Sequence, residues 1–222
     1  MARAKRRISA AAKARLSQAA PAALPPDRRS SIISEAAKLF ARKGFDATSM
    51  RDIARAAHIT VGASYWYFAS KEELFSAVHA TGLKAIRKAV LKAIDGVADP
   101  WARLEIAAQA HCNALLHPRG AIAVLLPPSL GPIRRRLVAQ RDQYDKLFRE
   151  LIEPLDIPKG VDRKVFRMQL LVSLNGTFAW YRPGGKYSPG EIAQQVVRML
   201  RPRAGKPGKK QQARRNSINA AP

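Results

Sequence analysis

Between Thr48 and Leu74 the chain reads Thr48-Ser-Met-Arg-Asp-Ile-Ala-Arg-Ala-Ala-His-Ile-Thr-Val-Gly-Ala-Ser-Tyr-Trp-Tyr-Phe-Ala-Ser-Lys-Glu-Glu-Leu74, and no other stretch limits the possible folds so tightly. Ser49 caps a first helix, and Asp52 three residues later completes a capping-box pair. Ile53, Ala54 and Ala57 then form a narrow apolar face at helical spacing. His58 falls where the chain must turn, and Thr60 caps a second helix running from Val61 to Phe68. Ser70 and Glu73 open a third helix as a Ser-x-x-Glu box. The pattern is a helix-turn-helix whose second helix is suited to a DNA major groove. Short helical hairpins are common in all-α proteins, so composition carries the argument. The second helix begins Thr-Val-Gly-Ala-Ser, small and hydrogen-bonding, and its large side chains wait until Tyr65, Trp66, Tyr67 and Phe68. Such a helix can approach a base-pair edge, whereas in a core it would have little to bury.

Upstream, Arg28-Arg-Ser-Ser-Ile-Ile-Ser-Glu-Ala-Ala-Lys-Leu-Phe-Ala-Arg-Lys-Gly-Phe45 repeats Ile32, Ala36, Leu39 and Phe40 at helical spacing, with Gly44 suited to a left-handed helix end. Together with Met50-Arg-Asp-Ile-Ala54, Tyr65-Trp-Tyr-Phe68 and Ser70-Lys-Glu-Glu-Leu74, this segment resembles the DNA-binding region of TetR family bacterial transcriptional repressors over about 50 residues. Three positions depart from the family pattern. His58 stands where the turn usually has Gly, Val61 where a basic residue is common, and Ser64 where an aliphatic residue is usual. The resemblance implies contacts to base edges or methyl groups from Thr60, Ala63, Ser64 and Trp66. It implies phosphate contacts from Thr48, Tyr65, Tyr67 and Lys71, with Val61 and Gly62 letting the backbone come close. Ile53, Phe68 and Leu74 are expected in the core.

The chain has 222 residues, 47% of them hydrophobic, enough for a substantial buried core. Cys112 is the single cysteine, so no intramolecular disulfide and no Cys-x-x-Cys metal site is available. No apolar run approaches the ~18 residues of a membrane span, and the basic N-terminus leads into no signal-like apolar stretch. The expectation is a cytoplasmic, nucleoid-associated protein. The formal charge is +24, and 14 of those charges come from the two ends. Residues 1–29 carry eight Lys or Arg against one acid, and residues 201–222 carry seven against none. Both ends have disordered composition and read either as arms that neutralise DNA phosphates or as solvated tails.

From Ala85 onward Gly and Pro punctuate long helical runs, with no sustained strand pattern. Helices are expected from Asp99-Pro-Trp101 to about His117, from Ala121 to Leu126, from Pro132 to Ile152, from Val161 to Tyr181, and from a Ser188-Pro-Gly-Glu191 box to about Leu200. Arg134–Ile152, Asn175-Gly-Thr-Phe-Ala-Trp-Tyr-Arg-Pro-Gly-Gly185 and Tyr187–Ile192 resemble acyl-CoA-responsive members of the same family. That resemblance implies a thioester-sensing unit whose last two helices dimerise. Leu116, Leu125, Phe148 and Phe178 are candidates for an apolar slot, and Arg134, Arg149 and Arg182 for the phosphates. Core packing and solvated surface are the competing readings of the same residues.

Little in the sequence suggests catalysis. His111 and His117 are six apart, off the i, i+4 spacing of a helical metal pair, and Gly62-Ala-Ser-Tyr-Trp66 lacks the second glycine of a nucleophile elbow. No catalytic residue, metal or cofactor is expected. The reading is an all-α protein: a basic arm (1–27), a helix-turn-helix domain (28–75), a ligand-sensing and dimerisation domain (76–201) and a basic tail (202–222). The expected function is regulated, sequence-specific binding to a palindromic operator as a homodimer, released by a hydrophobic effector, with an acyl-CoA as the candidate class. The alternative is a non-specific, nucleoid-type DNA-binding protein.

Overall fold

The computed structural model describes residues 26–117, 131 and 133–202. The described residues form eight helices and no strand: α1 (Pro26–Lys43), α2 (Met50–Ala56), α3 (Val61–Tyr67), α4 (Lys71–Ala93), α5 (Pro100–Leu115), α6 (Arg134–Ile152), α7 (Arg163–Trp180) and α8 (Pro189–Leu200). The expected short helix at 121–126 and nearly all of both basic ends lie outside the described residues. No helix among the described residues is long and apolar enough to cross a membrane.

Local chemistry sets the helix ends. The Ser49 hydroxyl accepts the Asp52 N–H at 3.1 Å while the Asp52 carboxylate accepts the Ser49 N–H at 3.0 Å, a complete capping box. Ser188 and Glu191 make the second such box, with Pro189 just inside. At α4 the expected box is altered. Ser70 accepts the Glu73 N–H, but the Glu73 carboxylate takes the N–H of Ala69, one residue further out. Gly44 leaves α1 at φ +81°, as its position suggested. His58 sits at φ +53°, the one non-glycine residue with positive φ among the described residues. That conformation costs an L-residue roughly 1–2 kcal/mol.

Two cores follow. The first gathers Ile32, Ala36, Leu39, Phe40, Phe45, Ile53, Phe68, Leu74 and Phe75. Phe40, Phe45 and Phe75 pack as a ring trio with centroids 5.0–5.6 Å apart. The second is built around α5, which packs most extensively against α8 and α4. Leu104, Ala107, Ala108, Cys112 and Leu115 of α5 are fully buried there. An ion pair between Arg167 and Asp145 at 2.9 Å ties α7 to α6.

Two helices run through both cores. α4 has 23 residues, about 34 Å of helix. Its first turns place Leu74, Phe75 and Val78 in the first core, and its later turns place Leu83, Ile86 and Val90 in the second. α6 does the same: Leu137 is fully buried in the first core, while Tyr144, Leu147, Phe148, Leu151 and Ile152 belong to the second.

Candidate nucleic-acid interface and ligand cavity

The turn between α2 and α3 is held by backbone bonds from Ala57 N–H to Ile53 O (2.9 Å), His58 N–H to Arg55 O (3.2 Å) and Ile59 N–H to Ala54 O (3.0 Å). Thr60 then caps α3, its hydroxyl accepting the Ala63 N–H at 3.1 Å. At the head of α2, the Ser49 hydroxyl, then its N–H, hold the Asp52 carboxyl below its usual range. The result fixes α3 with one face in and one face out. Val61, Gly62, Tyr65 and Trp66 lie outward, Tyr65 being 51% and Trp66 46% exposed. Residues at i, i+1, i+4 and i+5 share one side of a helix, so these four form a single outer surface. Ala63 and Tyr67 are half-buried at its edge.

Two expected contacts, Ser64 and Thr48, are corrected by burial, and a third, Lys71, is engaged within the protein. Ser64 is fully buried on the opposite side of α3, its hydroxyl donating to Val61 O at 2.7 Å. It occupies a packing position, so it presents nothing to a base. Thr48 is 1% exposed and donates to Gly44 O at 2.7 Å, closing the loop between α1 and α2. Lys71 is half-buried, with its ammonium donating to Phe45 O at 2.9 Å and lying 4.2 Å from the Phe45 ring centroid. Each of these polar groups is spent on a backbone carbonyl of the protein itself, a use invisible in a linear pattern. Beside α3 lies a notch of about 610 Å³ lined by Arg28, Arg55, His58, Ile59, Thr60, Ala63 and Tyr67. Sequence reading did not single out Arg28, Arg55 or His58 as binding residues.

In the second unit a cavity of about 420 Å³ opens between α4 and α6, lined by Ala80, Leu83, Lys84, Arg87, Gln140, Gln143 and Tyr144. Lys84 and Arg87 stand one turn apart on α4 and face two amides on α6. Behind Tyr144 is a buried polar chain. His111 Nε2–H donates to Asn175 Oδ1 at 3.1 Å, which leaves Nδ1 to accept the Tyr144 O–H at 2.8 Å. Burial pushes the His111 imidazole down to about 4, and the bond to Asn175 opposes that only in part. Burial likewise raises the Tyr144 phenol, with Cys112 adding to the effect, and pushes the Cys112 thiol up to about 12. Cys112 is therefore a protonated, inert core residue.

This cavity differs from the expected slot. Phe148 is fully buried and packs edge-on against His111 and Tyr144. Leu116 and Phe178 are half-buried, and Arg134, Arg149 and Arg182 are exposed, Arg182 donating to Tyr181 O. None of these six lines either cavity described above, and Leu125 lies outside the described residues. The cavity residues did carry a faint signal: Lys84, Arg87 and Lys88, and Gln140, Gln143 and Tyr144, each recur at i, i+3, i+4. Nothing in that spacing says that the two sets face each other.

The cavity wall is also bonded toward the first unit. The Gln140 amide oxygen meets His79 Nδ1 at 2.8 Å, and its amide nitrogen donates to Ser76 at 3.3 Å. Leu137, one turn earlier on α6, is the residue embedded in the first core. On the far side, α7 exposes Val165, Met168, Val172 and Trp180, and α8 exposes Met199, an apolar stripe at helical spacing.

Residues 32–78 match the family of bacterial regulatory proteins, TetR family, and residues 97–202 match the tetracycline repressor-like C-terminal domain. The transcriptional repressor KstR2 of Mycobacterium tuberculosis is 27% identical over 183 residues, covering 78% of this chain and 90% of that protein. The TetR family regulator PfmR from Thermus thermophilus superposes with a TM-score of 0.63 at 30% identity, over 76% of this chain and 96% of that one. The regulator AibR, solved with isovaleryl coenzyme A and operator DNA, superposes with a TM-score of 0.66 at 25% identity, over 78% and 97%.

Proposed function

The chain belongs to the TetR family of bacterial regulatory proteins, and on that premise we propose that it is a homodimeric repressor that leaves a palindromic operator when a hydrophobic effector binds. One observation carries the reading: α3 turns Val61, Gly62, Tyr65 and Trp66 outward from a rigidly capped helix-turn-helix while Ser64 and Phe68 anchor it inward. Two large aromatic side chains left in water on a seven-residue helix are poorly explained by folding alone. Trp66 and Thr60 contact base edges or methyls, Ala63 allows close approach, and Tyr65 and Tyr67 reach phosphates. The apolar stripe of α7 and α8 supports pairing of two chains there, which sets two α3 helices in successive major grooves.

The functional division falls at about residue 75, with α4 and α6 running across it. The effector enters between α4 and α6, where Lys84 and Arg87 suit an anionic head group and Leu83 and Tyr144 an apolar body. An acyl-coenzyme A is the class we favour, because AibR is a relative solved with one and the cavity joins cations to apolar walls. A ligand wedged against α6 displaces Gln140 and, through Leu137, the first core. Coupling of this kind is typically worth about 1–3 kcal/mol. No catalytic step is proposed.

Selection of genomic fragments by the purified protein at about 150 mM salt tests the DNA part, since phosphate-only binding is weakened there. An enriched palindrome is the expected result. Fragments without a shared motif would favour a coating protein, the reading supported by the +24 charge. Calorimetry with medium- and long-chain acyl-CoAs tests the effector. Absence of heat and of any effect on DNA binding removes that class.

A further inference from the structure

The two basic ends of the chain join the fold at opposite poles. Residues 1–25 precede α1, whose Arg28 lines the notch beside α3, so that end attaches at the pole of the helix-turn-helix. The other end is fixed elsewhere. α8 ends at Leu200, and the Arg201 N–H still donates to Val197 O at 2.9 Å. The Arg201 guanidinium lies 5.3 Å from the Trp101 ring centroid, and that ring meets Phe166 edge-on at 6.3 Å. Trp101 stands in the first turn of α5, which Arg103 ties to the preceding loop by donating to Val97 O at 3.0 Å. That loop follows the last turns of α4, where Val90 and Ile94 belong to the second core. Pro202, which cannot continue the helix, therefore departs from the end of α4 remote from Ser70 and α3.

Residues 203–222 carry Arg203, Lys206, Lys209, Lys210, Arg214 and Arg215 and no acid, and their one large apolar side chain is Ile218. Six cations with so little apolar surface recognise charge, so the partner that fits them is a polyanion. Distance decides which one. α4 alone spans about 34 Å between the two poles. A chain of about 20 residues without fixed structure spans about 25 Å on average, less than the way back to the duplex that α3 enters. The phosphates of a separate duplex approaching the far pole lie within that span.

We propose that residues 203–222 hold a second DNA segment by its phosphates, so that the protein bridges two duplexes, one at α3 and one at the opposite pole. The inference rests on the reading of α3 as the DNA-contacting helix. The second contact reads no sequence. Neutralising up to six phosphates gives it a log–log salt slope of about −5. It adds nothing to the affinity for a single short duplex, because the two poles do not share one.

The test is capture of a second duplex. A short biotinylated duplex carrying the motif recovered by selection or, failing that, a recovered fragment, is immobilised and loaded with the full chain at about 50 mM salt. A labelled duplex of scrambled sequence is then offered. The full chain should capture it, and capture should fall about tenfold or more in a variant ending at Pro202 and in one with the six cations changed to Gln. Anisotropy should show both variants within about twofold of the full chain in affinity for a single short duplex. No capture by the full chain, or equal capture by both variants, overturns the proposal. So does an equal loss of single-duplex affinity, because the segment then lies on the operator itself. Displacement of the captured duplex by single-stranded RNA at lower concentration than by duplex DNA also overturns it, in favour of an RNA partner. Equal affinity for motif and scramble sinks sequence-specific regulation, yet the difference in capture between the full chain and its variants still reports on residues 203–222.

Discussion

The outer face of α3 and the cavity at Tyr144 make opposite use of polar and apolar groups. On α3 large aromatic rings stand in water, and one small hydroxyl expected at a base edge, Ser64, is buried. At the cavity, polar groups are drawn inward and satisfy one another through Tyr144, His111 and Asn175. The first surface is unfinished without an external partner, whereas the second is a closed network that a ligand must compete with or press against. The proposed DNA-binding face is thus organised within one short helix, and the proposed effector cavity across helices far apart in the chain.

Truncating one aromatic residue in each region gives the sharpest contrast. Phe148→Ala should cost about 3–5 kcal/mol of stability in denaturant unfolding, because the ring is fully buried. Trp66→Ala should leave the unfolding midpoint nearly unchanged and weaken binding to the selected operator by about tenfold or more. A large stability loss in the Trp66 variant would break the comparison.

The second contrast concerns histidine. His111 is held neutral, from an ordinary value of 6.5 down to about 4, so the unfolded chain binds a proton more readily than the folded one. The associated stability is present above about pH 6.5 and is lost as pH falls toward 4, on the order of 3 kcal/mol over that window. Urea unfolding at several pH values should show this slope, and His111→Gln should remove that part of it.

Smaller effects test the connection between the regions. Gln140→Leu removes the bonds to His79 and Ser76, and should cost about 1–2 kcal/mol while reducing the effector's ability to release DNA. Unchanged release in an anisotropy titration would mean that the coupling passes elsewhere. Ser64→Ala should cost about 1 kcal/mol or less, the approximate worth of its bond within α3, and leave sequence preference unaltered. A changed preference on a panel of operator variants would return Ser64 to the DNA-facing set.

Much of the first region was legible because its determinants are local. Ser49, Thr60, Ser188 and their partners act within four residues, so caps and helix starts could be read directly. His58 in the left-handed turn and Gly44 at the end of α1 were legible for the same reason. Burial was harder. Thr48, Ser64 and Lys71 have the residue types of DNA contacts, yet each satisfies a backbone carbonyl of the fold around it. Their polarity serves the fold, and composition cannot separate that use from an outward one. In the second region the arginines at 134, 149 and 182 drew attention as a charge pattern, but each is left exposed.

By itself, the sequence determined an all-helical chain with a capped helix-turn-helix and membership of a DNA-binding regulator family, since these depend on spacing, caps and short motifs. The tertiary structure decided which side of α3 faces outward, that Lys84 and Arg87 meet Gln140, Gln143 and Tyr144 across a cavity, and that Leu137 carries α6 into the first core. The physical reason is range. A cap is settled by hydrogen bonds a few residues apart, while a cavity depends on how helices distant in sequence rotate and slide as their apolar faces are buried together.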